Sequence, residues 1–217
     1  MTATRTVHPI EVESYRILRS LVDTTALPPL TRAVVERVIH TTADPELLAD
    51  VVTDERHLAA GLAALRDGVP VVTDVAMVAA GITRRDLLGP VICRVADPQA
   101  AELAAREGIT RSAAGFRLAH ADVGPRAVWV VGNAPTALFE LLRLLDGAPT
   151  GTAPLVVGLP VGFVGAADSK AALRASGLPQ LSNVTAKGGS PLAAAAVNAL
   201  LYADLHADLH AADRELP

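Results

Sequence analysis

The feature that most constrains this chain is an alternation that begins near residue 69. Short β-branched runs, VPVVTD (69–74), VICRV (91–95), AVWVVGNAPT (127–136) and LVVGLPVGF (155–163), each precede an Ala- and Leu-rich stretch with helical spacing. The runs are apolar at successive positions, so both faces of each strand must be covered. Strands that lie one helix apart join as parallel neighbours, because a parallel pair needs a long crossover. The pattern predicts a three-layer α/β/α domain of the doubly wound, flavodoxin-like kind, with a mainly parallel sheet. Half of the chain is apolar (51%) but only 3% is aromatic, so Ala, Val and Leu must build the core. That suits helices packed on a sheet.

Ahead of this alternation lies a helical N-terminal segment. Residues 9–23 and 30–41 carry apolar residues at helical spacing. Asp44-Pro45-Glu46 reads as a helix start, with a capping Asp, Pro at the first position and an acid in the first turn. Thr53-Asp54-Glu55 reads as another, opening a helix that runs to about Asp67. Asp97 caps the helix of DPQAAELAAREG and Gly108 stops it, while KGGSP (187–191) opens a last long helix. No linker or composition shift divides the 217 residues, so one domain is expected over 1–217, with 203–217 as a helical extension. That extension, ADLHADLHAADRELP, spaces His206 and His210 at i, i+4 beside Asp204 and Asp208. A metal site needs a third ligand, and nothing supplies one, so no metal is expected.

Several function classes are excluded. A net charge of −4 argues against nucleic-acid or anionic-membrane surfaces, which need a basic field. One cysteine, Cys93, excludes an internal disulfide and reads as a buried thiol in a strand. MTATRTVHPIEVE lacks a signal core and no apolar run reaches spanning length, so a cytoplasmic protein is expected. Gly158, Gly162 and Gly165 do not fit G-x-G-x-x-G, and there is no P-loop, H-E-x-x-H or nucleophile elbow. Asn183-Val184-Thr185 matches a glycosylation sequon, which without a secretory signal carries no meaning.

In an open α/β sheet, ligands bind outside the carboxyl ends of the strands. The junctions expected there are Thr73-Asp74, Arg111-Ser112, Gly132-Asn133-Ala134-Pro135-Thr136, Gly162-Phe163-Val164-Gly165 and Lys187-Gly188-Gly189-Ser190. Helix N-termini offer free N–H groups, and Arg111 and Lys187 add full charges. Such an edge suits a ligand with several carboxylates or phosphates. Arg111, Ser112, Asn133, Thr136, Lys187 and Ser190 are therefore candidate anion contacts. His40 is the other candidate. Winding 30–42 at roughly 100° per residue puts Leu30, Val34, Val35 and Val38 on one stripe and His40 opposite, beside Glu36 and Arg37. A core histidine would lie in the stripe. This one faces solvent, a ligand or a partner subunit, and a ring that titrates near neutrality can serve as a general acid.

Seven segments carry a resemblance: HPIEVES (8–14), RVIHTTAD (37–44), VVTDVAMVAAGI (71–82), RSAA (111–114), GNAPTALFELL (132–142), PVGFVGAADSK (160–170) and KGGSPLAAAAVNAL (187–200). Together they resemble the precorrin-8X methylmutase family of cobalamin biosynthesis, nearly end to end and in the same order. The resemblance implies an isomerase that moves a methyl group from carbon eleven to carbon twelve of a corrin precursor. The product would be hydrogenobyrinic acid, or cobyrinic acid where the precursor carries cobalt. It implies a formal 1,5-sigmatropic shift without redox cofactor or methyl donor, a flavodoxin-like fold, and a homodimer holding its corrinoid substrate near the interface. The family's catalytic histidine falls on His40, with the proposed role of protonating the macrocycle at the ring C nitrogen. Family substrate contacts fall on Ser14 and Arg37, although Glu13 and Tyr15 around Ser14 depart from the commoner Arg-Ser-Phe. Rival readings are a non-catalytic corrinoid carrier, a flavin or nucleotide enzyme on the same fold, and a structural dimer module.

Overall fold

The computed structural model describes residues 8–83, 89–149 and 151–203. The N-terminal segment is two helices, α1 (Pro9–Leu21) and α2 (Pro29–Thr42). Each enters through a proline in its first turn, where the missing N–H costs no intrahelical bond. The His8 side chain caps α1 by accepting from the Ile10 N–H. α2 ends on Ala43, which adopts the left-handed conformation (φ 54°) and donates its N–H to the Ile39 carbonyl.

Asp44 does accept the Glu46 N–H, at 3.1 Å, but the expected helix is only the single turn α3 (Leu47–Asp50). A strand not foreseen in the sequence follows at once, β1 (Val51–Thr53). Then α4 (Glu55–Arg66), capped by Asp54, leads to β2 (Val71–Thr73) and α5 (Ala76–Gly81). β3 (Val91–Ile92) is followed by two helices, α6 (Pro98–Glu107) and α7 (Arg111–Val123). Arg111-Ser112 therefore opens a helix that follows another helix, and is not the strand-to-helix junction expected. The chain continues through β4 (Val128–Val131), α8 (Pro135–Leu144), β5 (Leu155–Gly158), α9 (Ala166–Ala175), β6 (Gln180–Asn183) and α10 (Ser190–Leu201).

The strands lie in the order β1-β6-β5-β4-β2-β3. β1 pairs antiparallel to β6, with Val51 opposite Asn183, and the other pairings are parallel. Without the antiparallel edge the parallel strands read 2-1-3-4-5, the flavodoxin-like order. The switch point of that order lies between β2 and β4. Successive residues of β4 face opposite layers. Val128 and Val130 join α2, α4, α5 and α10 in one core, while Trp129 and Val131 join α7, α8 and α9 in the other. Both cores are dominated by Ala, Val and Leu, as the low aromatic content requires.

α2 and α10 form the most extensive helix pair, and α1 covers the far side of α2. Glu36, beside His40 and opposite the apolar stripe, is 1% exposed because α1 lies over it. Its carboxylate is satisfied by Arg19, Arg32 and the Thr24 hydroxyl. Together they hold its pKa below the usual range against the burial that opposes them. The C-terminal extension with His206 and His210 lies outside the described residues.

Candidate active site

His40 lies in the last turn of α2, half-buried under α1. Glu11, Ser14, Tyr15 and Leu18 recur at i, i+3, i+4 and i+7, so they share the face of α1 that meets α2. Three of them build the surroundings of His40. The Ser14 hydroxyl is 2.8 Å from His40 Nδ1. The Tyr15 ring stacks on the imidazole at a centroid distance of 4.9 Å and 7° between planes. Glu11 accepts from Arg37 Nη1 at 2.8 Å. Tyr15 is thus the platform of the histidine. Its own pKa is raised by burial against the nearby Arg37 charge.

Ser14 occupies Nδ1 and so leaves Nε2 for another proton partner. Burial lowers the His40 pKa below its ordinary value, the Arg37 charge lowers it further, and Glu11 partly offsets both. The ring is therefore biased to the neutral form until anionic charge arrives, and once protonated it is a stronger acid than a free imidazole. Beside it lies a small depression of about 120 Å³ whose lining includes Ser14, Ile17, Leu21, His40, Ala43 and Pro45. Ile17 and Leu21 leave large apolar surfaces exposed there. A site for even a drug-sized ligand spans roughly 300–1,000 Å³, so this depression can hold only one edge of a large one.

The carboxyl edge of the sheet adjoins this corner. Lys187 Nζ donates to Asp44 Oδ2 at 2.7 Å and to Glu46 Oε2 at 2.5 Å. That ties the turn behind His40 to the loop before α10. The pairing raises the Lys187 pKa, so the expected free cation is instead committed to two carboxylates of the protein. Gly188 seats this loop on the β5–α9 connection. A Cβ there would come within 2.4 Å of the Pro160 carbonyl oxygen. Gly132 seats the β4–α8 loop on the start of α10, where a Cβ would meet Ser190 Cα at 2.8 Å. Asn133 and Ser190 thus belong to neighbouring loops.

The N–H groups of the GNA loop are not free as expected. Asp74, 1% exposed, accepts from Gly132, Asn133 and Ala134 at 3.0, 2.8 and 2.7 Å. Burial pushes its carboxyl pKa up despite these three donors. Thr136 and Thr110, the cap of α7, pair through their hydroxyls at 2.8 Å, which brings the start of α7 beside that of α8. Arg111, Asn133 and Thr136 are exposed, whereas Ser112 and Ser190 turn inward and are buried. The candidates fall into two groups: Ser14 bonded to His40 with the Arg37 charge acting on the ring, and a rim of Arg111, Asn133, Thr136 and Lys187. Among the described residues no hydrogen bond joins His40 to that rim.

Sequence reasoning passed over Asp50 and Lys170, named Asp74 only as part of a junction, and named Tyr15 only as a neighbour of Ser14. A charged residue inside an otherwise apolar strand-and-helix pattern was the available signal for Asp74 and Lys170. Asn183 of the sequon is fully buried. Among the described residues no group of three or more His, Cys, Asp or Glu could hold a metal, and no helix is long and apolar enough to cross a membrane.

Comparison with known proteins bears on this arrangement. Residues 9–203 match the family model described as precorrin-8X methylmutase. The chain is 41% identical over 197 residues to a cobalt-precorrin-8 methylmutase of Methanothermobacter thermautotrophicus, covering 89% of this chain and 92% of that protein. It is also 41% identical over 197 residues to a precorrin-8X methylmutase of Pseudomonas aeruginosa, covering 87% and 91%. Among solved structures, the precorrin-8X methylmutase of Thermus thermophilus superposes with a TM-score of 0.80 at 34% identity, covering 93% and 98% of the two chains.

Proposed function

Because the chain belongs to the precorrin-8X methylmutase family, whose members are methyl-shifting isomerases of cobalamin biosynthesis, we propose that it moves the methyl group of its corrin precursor from carbon eleven to carbon twelve, with His40 as the general acid. The product is hydrogenobyrinic acid, or cobyrinic acid from the cobalt-bearing precursor. The observation that carries this reading is the Ser14–His40–Tyr15 constellation. It fixes one imidazole nitrogen, braces the ring face, and leaves the other nitrogen beside an exposed apolar corner.

In this reading the macrocycle lays one edge against Ile17 and Leu21. His40 Nε2 lends a proton to the ring C nitrogen, which draws electrons from the conjugated system and eases the methyl migration. The proton returns to His40 when the product forms, so nothing is consumed and no redox cofactor or methyl donor is needed. The carboxylates of the substrate supply negative charge near Arg37 and Arg111. That charge favours the protonated ring in the complex and counters the bias of the empty site. Ser14 and Arg37 contact the substrate, and Ser112, Asn133, Thr136, Lys187 and Ser190 shape or line the carboxylate rim. Since the depression is small, a second copy of the chain completes the site, as a homodimer, in the cytoplasm.

The test is anaerobic incubation with precorrin-8X, and in parallel with cobalt-precorrin-8, following the visible spectrum. Conversion by catalytic amounts of protein supports the reading and identifies the natural substrate form. A bound corrinoid spectrum without turnover of either precursor would replace the mutase by a carrier.

A further inference from the structure

The described residues contain one fully buried lysine, Lys170 on α9. The site as described above makes no use of it. Its ammonium has three N–H groups and three acceptors. It donates to Asn183 Oδ1 at 2.7 Å, to the Thr185 carbonyl at 2.8 Å, and to the Lys187 carbonyl. None of these is a carboxylate. A buried cation held only by neutral acceptors is costly unless its geometry serves something else.

What it holds is the segment between β6 and α10. The same segment is gripped from the other side by Asp50 at the end of α3. The Asp50 carboxylate accepts from the Asn183 amide, the Val184 and Thr185 N–H groups and the Thr185 hydroxyl, at 2.7, 2.9, 2.9 and 2.8 Å. Asn183 bridges the two charges, giving its oxygen to Lys170 and its amide N–H to Asp50 and the Lys187 carbonyl. With its carbonyl fixed, Lys187 turns its ammonium the other way, to Asp44 and Glu46 behind His40.

We propose that Lys170 is a positioning residue: its ammonium gathers residues 183–187 into the one shape that presents Lys187 to the turn behind His40, and thereby sets how firmly a carboxylate-rich substrate is held at the rim. The last clause rests on the function proposed above; the first does not. The charges that act on Lys170 are the Asp50 carboxylate, which favours its protonated form, and the Arg174 guanidinium one turn along α9, which opposes it. The Lys187 ammonium faces away. Burial dominates and lowers the Lys170 pKa to about 8. Loss of that proton leaves three acceptors sharing two N–H groups, so the segment should loosen over a range where His40 is already neutral.

Amide hydrogen exchange on the full chain reads this directly, corrected for intrinsic rates, from about pH 7 to about pH 9.5. The Val184, Thr185 and Gly189 N–H groups are engaged and report on the segment. In the wild type their protection should fall through about pH 8. In Lys170→Met it should be low and flat with pH, while hydrogenobyrinic acid binds about tenfold more weakly and kcat changes less than KM. Arg174→Gln keeps the lysine and removes an opposing charge, together with a donor to the Asn183 carbonyl, so overall protection should drop somewhat while the pH of its break moves up. That variant decides the matter if Lys170→Met does not fold. Wild-type protection in Lys170→Met, or no break in the wild type, overturns the inference. Failure of hydrogenobyrinic acid to bind the wild type would sink the proposed function but leave the exchange result to judge the lysine.

Discussion

Replacing Gly132 by alanine tests the way two site loops are seated. The added Cβ would lie 2.6 Å from Val78 Cγ2, 2.8 Å from Ser190 Cα and 2.9 Å from Ala193 Cβ. Comfortable carbon contacts are about 3.5–4.0 Å, so each falls short by roughly 1 Å. Val78 could rotate, but Ser190 Cα and Ala193 Cβ are fixed by the α10 backbone. Overpacking a core typically costs about 1–3 kcal/mol, and with two immovable neighbours the upper end, about 3 kcal/mol, is expected. At about 2–4 °C per kcal/mol for a chain of this size, Tm should fall by about 6–12 °C. The shift should also push the Asn133 loop off α10 and weaken corrinoid binding. Gly124→Ala is the control. Its φ is 70° and ψ −172°, a region left to glycine, with nothing within 4 Å of the new Cβ, so it carries backbone strain of about 1–3 kcal/mol and no clash. Urea unfolding with parallel binding titrations separates the two. A Gly132→Ala protein within about 0.5 kcal/mol of wild type would refute the reasoning, as would one that matches Gly124→Ala and binds normally.

His40→Ala should fold, bind corrinoid and lose about two to four powers of ten in kcat; near-full turnover would remove the acid assignment. Ser14→Ala deletes a charge-assisted hydrogen bond worth about 1.5–3 kcal/mol in the protonated state, so kcat should drop about tenfold or more. An unchanged rate and pH profile would make Ser14 a bystander. Arg37→Met should raise the His40 pKa, because one of the two influences that lower it is a positive charge. The alkaline limb of kcat/KM should then move up, and proton NMR of the imidazole checks the shift independently. Glu36→Gln should destabilise by about 1–3 kcal/mol at neutral pH, a figure reduced because Arg19 and Arg32 can turn to water. The folded Glu36 pKa is lowered, so its stabilisation is present above the unfolded value and lost as pH falls through the folded one. The gap between wild type and variant should therefore close in acid, as melting curves over pH can show.

Much of the fold is legible in the chain because short β-branched apolar runs alternating with Ala- and Leu-rich stretches read as doubly covered strands between helices. What the runs could not reveal follows from polar burial. β6 reads Gln-Leu-Ser-Asn, which carries no hydrophobic signature, yet each residue is buried. The Gln180 backbone is answered by Thr53 and His57 and the Asn183 side chain by Asp50 and Lys170, partners more than ten residues away in sequence. β1 is three residues long and exists because β6 offers an edge. α7 lay hidden because it follows α6 where the alternation led one to expect a strand. The helical spacing put His40 opposite the apolar stripe beside Arg37, and the resemblance added Ser14, but neither gave the contacts among them. Only the packing of α1 on α2 shows that Ser14 takes Nδ1 and Tyr15 takes the ring face. Likewise, Lys187 looked like a free cation until Asp44 and Glu46, about 140 residues earlier, came to rest on it.

The Asp74 clasp has a consequence for the lineage of the fold. The cleft between β2 and β4 is where sheets of this order ordinarily receive the phosphate of a nucleotide. Here the backbone donors that would greet that phosphate already serve a buried carboxylate, and an arriving anion would meet like charge. One buried side chain thus engages three of the backbone donors at that cleft. The function proposed above places the chemistry elsewhere, at the corner between α1 and α2 where Ser14 meets His40. Asp74→Gly would free these three donors, and such a variant is a natural starting point for bringing a phosphate-bearing ligand to this architecture.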